Sequence, residues 1–139
     1  MDTKFSVAIH ILILISESPT PLNSDQMAGS VGTNASYIRK ILALLKKAKV
    51  IDGHRGISGY SMVVAPERLT LLQIYQAVTE DPKTHLFDIH QNPSDQCLVG
   101  QHIRPVLTDM FTDIEEAFSR TLAGKTLAEC TDVIRKRME

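Results

Sequence analysis

The chain has 139 residues, 43% of them hydrophobic and 22% charged, with a formal net charge of −1. That length suits one domain with an appended element and a real core, and the composition argues against disorder. Two cysteines, Cys97 and Cys130, are too few for a disulfide framework, and the apolar run Phe5 to Ile15 is too short to span a bilayer and has no secretory flanks. No membrane partner and a cytoplasmic location are therefore expected.

The first predicted helix runs from about Lys4 to Ser16 and stops before the Ser-Pro-Thr-Pro at 18–21. It is apolar nearly all round, so it belongs in a core, a subunit interface or both. His10 within it has no neighbour at metal-ligand spacing and reads as a packing histidine.

Residues 24–64 carry the strongest pattern. Ser24 can cap a short helix, Gly32 sits at a tight turn, and Asn34 caps a second helix. In that second helix Ile38, Ile41, Leu42 and Leu45 form a core stripe, while Ser36, Tyr37, Arg39, Lys40 and Lys47 lie mostly outside it. Between Tyr37 and Arg55 six basic residues face only one acidic residue, Asp52, whereas the chain from Glu80 onward is net acidic. A helix, a short turn and a basic helix make a helix-turn-helix, and the local charge is a footprint for phosphate. Short strands at Val50-Ile51 and Tyr60–Val64 flank DGHRGISG, a wing in which Gly53, Gly56 and Gly59 suit positive-φ turn positions. Arg55, beside His54 at its tip, could reach a minor groove. The candidate DNA-binding residues are Ser24, Asn34, Ser36, Tyr37, Arg39, Lys40, Lys47, His54 and Arg55.

A fourth helix follows Pro66, with Thr70 as N-cap and Leu71, Ile74 and Val78 facing inward. Residues 80–96 have no periodicity and read as loop. A long amphipathic helix spans about Leu98 to Leu122, tolerating Pro105 near its start. Its apolar line of Val106, Met110, Ile114, Ala117 and Phe118 exceeds what one small domain needs and predicts homodimerisation. Gly124 stops it, and Thr126 caps a last helix with Leu127, Cys130 and Ile134 on one face. The organisation is thus a DNA-binding unit over 1–80, a possible sensor loop over 81–97, and a dimerisation helix plus C-terminal helix over 98–139. The fold class is mainly α with a small β-hairpin wing.

This order resembles the IscR/NsrR/CymR-type winged-helix transcription regulators, the Rrf family. Ser36-Tyr37-Ile38-Arg39-Lys40-Ile41-Leu42 is similar to the family's S-Y-L-x-x-I-L, and L-K-K-A follows at 45–48. Arg55-Gly56-x-x-Gly59-Tyr60 matches the wing, and Leu69-Thr70-Leu71-x-x-Ile74-x-x-Ala77-Val78 looks like I-T-L-x-x-I-x-x-A-V. The resemblance implies a homodimeric, signal-responsive regulator, usually a repressor, whose long helix crosses between subunits above a palindromic operator. Two departures stand out. Cluster-binding members carry three close cysteines before the long helix, and only Cys97 lies there, so no iron–sulfur cofactor is expected. The wing is poorer in glycine than usual, and Ser61 stands where an arginine often follows the tyrosine.

Cys97 falls at the start of the long helix, where unsatisfied N–H groups favour thiolate, and is the candidate redox-sensing residue. Buried packing is the alternative for it, and the expected role of Cys130. His85, His90, Cys97 and His102 do not match a zinc spacing, so no metal site is assigned. No nucleophile–base pair, phosphate loop or carboxylate pair points to an enzyme. Two further readings stay open. One is a repressor controlled by a metabolite or protein partner near the 80–104 loop. The other is a winged-helix adaptor that does not bind DNA, which the basic residues of the second helix oppose.

Overall fold

The computed structural model describes residues 2–53 and 59–139. Among these residues the elements are helices α1 (Lys4–Glu17), α2 (Ser24–Val31) and α3 (Ala35–Lys47), strands β1 (Ile51–Gly53) and β2 (Tyr60–Met62), and helices α4 (Leu71–Thr79), α5 (Leu98–Ala123) and α6 (Leu127–Met138). The architecture is the expected winged helix-turn-helix followed by a long helix.

Helix α1 is the centre of the core. Val7, Ala8, Ile11 and Leu12 are buried, and no residue from Val7 to Ser16 is exposed, because α2, α3, α4, α6 and β2 all pack around it. His10 is tied by a 3.0 Å hydrogen bond to the Ser30 hydroxyl.

Helix α2 corrects one expectation: Asn23, not Ser24, is its N-cap. Asn23 Oδ1 accepts the Gln26 N–H at 2.8 Å, and Gln26 Oε1 accepts the Asn23 N–H at 2.9 Å. Only the Asn23–Gln26 spacing allows this reciprocal pair, and it leaves Ser24 as the first helical residue. At the other end Gly32 adopts φ +85°, and the N–H groups of Gly32 and Thr33 both fold back on the Ala28 carbonyl. Asn34 then caps α3 through the Tyr37 N–H at 2.8 Å. Ile38, Ile41, Leu42 and Leu45 are buried, as their spacing requires.

The wing strands pair antiparallel with Ile51 opposite Met62, Asp52 opposite Ser61 and Gly53 opposite Tyr60. They start later and end sooner than the apolar residues suggested, because the N–H groups of Val63 and Val64 both turn to the single carbonyl of Val50. Gly53 is not a positive-φ residue; a Cβ there would lie 3.2 Å from the Tyr60 ring, so it is small for space. Gly59 does have φ +133°, and a Cβ on it would come within 2.5 Å of the Pro21 side chain, where the wing meets the α1–α2 loop. Gly56, His54 and Arg55 lie outside the described residues.

These glycines give a stability test. Gly59→Ala should cost about 1–3 kcal/mol through strain and collision. Gly29→Ala, inside α2 where a Cβ meets nothing within 4 Å, should instead stabilise by about 0.5–1 kcal/mol. Thermal unfolding of the two variants against the native protein should show Tm shifts of opposite sign.

Thr70 caps α4 in a second reciprocal box, with Gln73. Helix α6 returns to the winged-helix core: Leu127 is fully buried, its N–H donates to the Leu69 carbonyl at 2.8 Å, and Leu71 N–H donates to Lys125 O at 2.9 Å. Thr126 caps it, accepting the Glu129 N–H. Phe5, Tyr75 and Phe118 stack edge to face at 5.4 and 5.5 Å, fixing α5 against α1 and α4.

Candidate nucleic-acid interface

Successive positions on the outer side of α3, at steps of four, three and four residues, are Ser36, Lys40, Ala43 and Lys47, and all four are exposed. Arg39 is exposed beside this line, and its guanidinium donates to the Ser24 hydroxyl at 3.2 Å. Ser24 therefore belongs to the same surface although it is not the cap. This bond links the two helices of the helix-turn-helix and limits where the guanidinium can swing. Tyr37 is half-buried and packs on the core, and Asn34 is occupied in capping. Lys47 Nζ lies 3.3 Å from Glu80 Oε1, both side chains being well exposed, so the pair holds Lys47 only weakly. Glu80 was not among the residues singled out from sequence. It ends α4 in the left-handed region, at φ +56°, where its side chain is turned to α3.

The loop from 81 to 97 is laid along α5 by contacts that periodicity does not announce. Glu115 accepts the Leu86 N–H, Ser119 bonds Thr84, and Phe87 packs on Phe111 at 5.0 Å. Nearer the start of α5, Arg104 donates to Gln91 O at 3.2 Å and Gln101 to Asp95 O at 2.7 Å. Gly100 is forced small, since a Cβ there would lie 2.0 Å from the Ser94 carbonyl oxygen. This loop covers one side of α5. On the other side Val99, Val106, Met110 and Ile114 are 68%, 50%, 57% and 48% exposed. Apolar groups in such a row are unusual on a solvated helix face.

Cys97 is the N-cap residue of α5 and is exposed, with no side-chain capping bond. The nearby backbone N–H of Gly100, and secondarily that of Val99, favours its thiolate and lowers the thiol from its ordinary range, without forming a capping bond. Cys130 is half-buried on α6. His85 pairs with Asp88 at 2.7 Å, a hydrogen bond that raises its pKa.

The sequence pattern of the Rrf2 family, described as "Iron-dependent Transcriptional regulator", matches residues 1–132. The chain belongs to the Rrf2 family. It is 36% identical over 129 residues to YwnA of Bacillus subtilis, a candidate HTH-type transcriptional regulator, covering 93% of this chain and 95% of that one. The crystal structure of a candidate DNA-binding protein superposes with a TM-score of 0.74 at 34% identity, covering 91% of this chain and 97% of the other. CymR, the global cysteine regulator of B. subtilis, shares the fold at 18% identity, with a TM-score of 0.70 and 95% of each chain covered. The family is one of transcriptional regulators, not enzymes. No helix among the described residues is long and apolar enough to cross a membrane.

The donors present do not fit the iron in that description. Among the described residues no three His, Cys, Asp or Glu side chains converge on a common point, and Cys97 is the only cysteine in the loop preceding α5. A cluster needs about four ligands, mostly thiolates, and two copies of Cys97 would bring two.

Proposed function

We propose that this Rrf2-family chain is a cytoplasmic, homodimeric repressor that binds a pseudo-palindromic operator through α3. The observation that carries the reading is the exposed Ser36-Lys40-Lys47 line with Arg39 bonded to Ser24 beside it. The first turn of α3, with Ser36, Tyr37, Arg39 and Lys40, meets base edges and adjacent phosphates, and Lys47 adds a phosphate contact farther along. His54 and Arg55 would extend the contact from the wing. Two copies pair through the apolar side of α5, which sets their recognition helices about one DNA turn apart. The capture of genomic DNA by reduced and by diamide-treated protein tests both the operator and its redox response; failure to enrich any sequence would contradict the reading.

Cys97 is the proposed switch. Its exposed, acidified thiol suits attack on a peroxide: the thiolate sulfur bonds one oxygen, the O–O bond breaks, and hydroxide leaves and is protonated to water. Sulfur loses two electrons to the peroxide and becomes a sulfenic acid. The added bulk at the joint between loop and α5 would shift the spacing of the two recognition helices, which a palindrome penalises in both half-sites. Peroxide should therefore weaken DNA binding of the native protein and of Cys130→Ser at least tenfold, while Cys97→Ser stays bound. Gel shifts on the three proteins, with mass spectrometry of the adduct, check this. Equal loss by Cys97→Ser would remove the thiol from the mechanism and favour a ligand acting at the 80–104 loop.

A further inference from the structure

A cleft of about 390 Å3 opens where the start of α1 meets the turn between α2 and α3. Its polar lining is Thr3, Ser6, His10, Thr33 and Tyr37, with Gly32 beside them and, among the described residues, no lysine or arginine. Thr3 is the N-cap position of α1, yet its side chain makes no capping bond, which leaves the hydroxyl available. Thr33 immediately precedes Asn34, the cap of α3, and Tyr37 lies in the first turn of α3. The His10 ring is tied to the Ser30 hydroxyl at 3.0 Å.

We propose that this cleft is a second DNA contact, taking a phosphodiester oxygen of the backbone that borders the groove occupied by α3. The inference rests on the DNA-binding reading and adds a site to it. The first turn of a recognition helix meets base edges, so the wall beside that turn is sugar and phosphate. The Ser6 hydroxyl already donates to the Thr3 carbonyl at 3.1 Å, so the donors are the Thr3, Thr33 and Tyr37 hydroxyls, ordinary partners of phosphate oxygens. A phosphomonoester metabolite, doubly charged, would find no counter-charge among the described residues of the cleft. A phosphodiester carries one charge and is brought in by the cations of α3, so it needs only hydrogen-bond donors here.

The absence of a cation makes the site distinguishable from Lys47. Counterion release follows the charges that neutralise phosphate, so losing hydroxyls weakens binding without altering the salt slope. The test is fluorescence anisotropy of a random-sequence duplex over a salt series, with native protein, Thr3→Val/Thr33→Val and Thr3→Ser/Thr33→Ser. Removing two hydroxyl contacts should weaken binding about tenfold at every salt concentration, with a parallel slope. The serine pair should bind as the native protein does, which excludes misfolding as the cause. Native-like binding by the valine pair, or a loss accompanied by a shallower slope, overturns the cleft site. If the native protein itself fails to bind any duplex, the DNA reading falls first.

Discussion

Met110→Asp is expected to turn the proposed homodimer into a monomer at micromolar concentration. Met110 lies one helical turn from the Ile114 end of the exposed stripe that begins at Val99, and is itself 57% exposed in the single chain. Burying such a side chain contributes about 1.5 kcal/mol, and a two-fold interface contains it twice. Losing about 3 kcal/mol weakens dimerisation roughly 100-fold, before the cost of placing two carboxylates against each other is added. Because Met110 takes no part in the core of its own chain, thermal unfolding at high protein concentration should still be cooperative. Sedimentation equilibrium gives the answer: a native dimer and a variant monomer are expected, while a native monomer, or a variant that dimerises normally, contradicts the α5 interface. Cutting the chain before α5 would be a poorer probe. It would also remove Leu127, which is fully buried, and the Thr70–Thr126 bridge, so folding and association would fail together.

The second large effect is expected at Arg39. If its guanidinium reads a guanine edge, Arg39→Ala should cost about 1–3 kcal/mol on the specific duplex and much less on random sequence. Its bond to Ser24 is exposed, so stability should change by less than about 0.5 kcal/mol. Lys47→Ala should behave differently, weakening all duplexes alike and lowering the slope of log affinity against log salt by about 0.9. A lone phosphate contact contributes less than a base reader on the specific duplex, so the measured loss at Lys47 should be the smaller of the two.

Local chemistry made much of this fold readable before any coordinates. The α3 stripe of Ile38, Ile41, Leu42 and Leu45, the Asn34, Thr70 and Thr126 caps and the Gly32 turn each follow from spacing or from a single side chain reaching a nearby N–H. Asparagine and serine are equally good caps, so residue type alone does not choose between Asn23 and Ser24. The deciding signal was the glutamine three residues after the asparagine, which completes a reciprocal pair that Ser24 cannot make. Long-range placement was less readable. Glu115 and Leu86 are bonded across 29 positions, and Gly100 is small because Ser94 crosses it; neither relation has a period or a motif. For the same reason the apolar line on α5 divided in an unforeseen way. Phe118 turns to Tyr75 and the body of its own chain, while Val99 joins Val106, Met110 and Ile114 on the open side. Among the proposed interface residues, Arg39, Lys40 and Lys47 are visible in the sequence as basic positions off the core stripe. The bond that makes Ser24 their neighbour required the crossing of α2 and α3, which sequence spacing does not fix.

The most direct test of DNA recognition by α3 is an anisotropy titration of the genomically captured duplex with native protein and with Arg39→Ala/Lys40→Ala, across a salt series. The account predicts tight, salt-dependent binding by the native protein. For the double variant it predicts a loss of about 100-fold or more with a shallower slope, since one base reader and one phosphate contact are removed. Unchanged affinity and slope in that variant would contradict it, and would leave the winged helix as an adaptor surface rather than a reader of DNA.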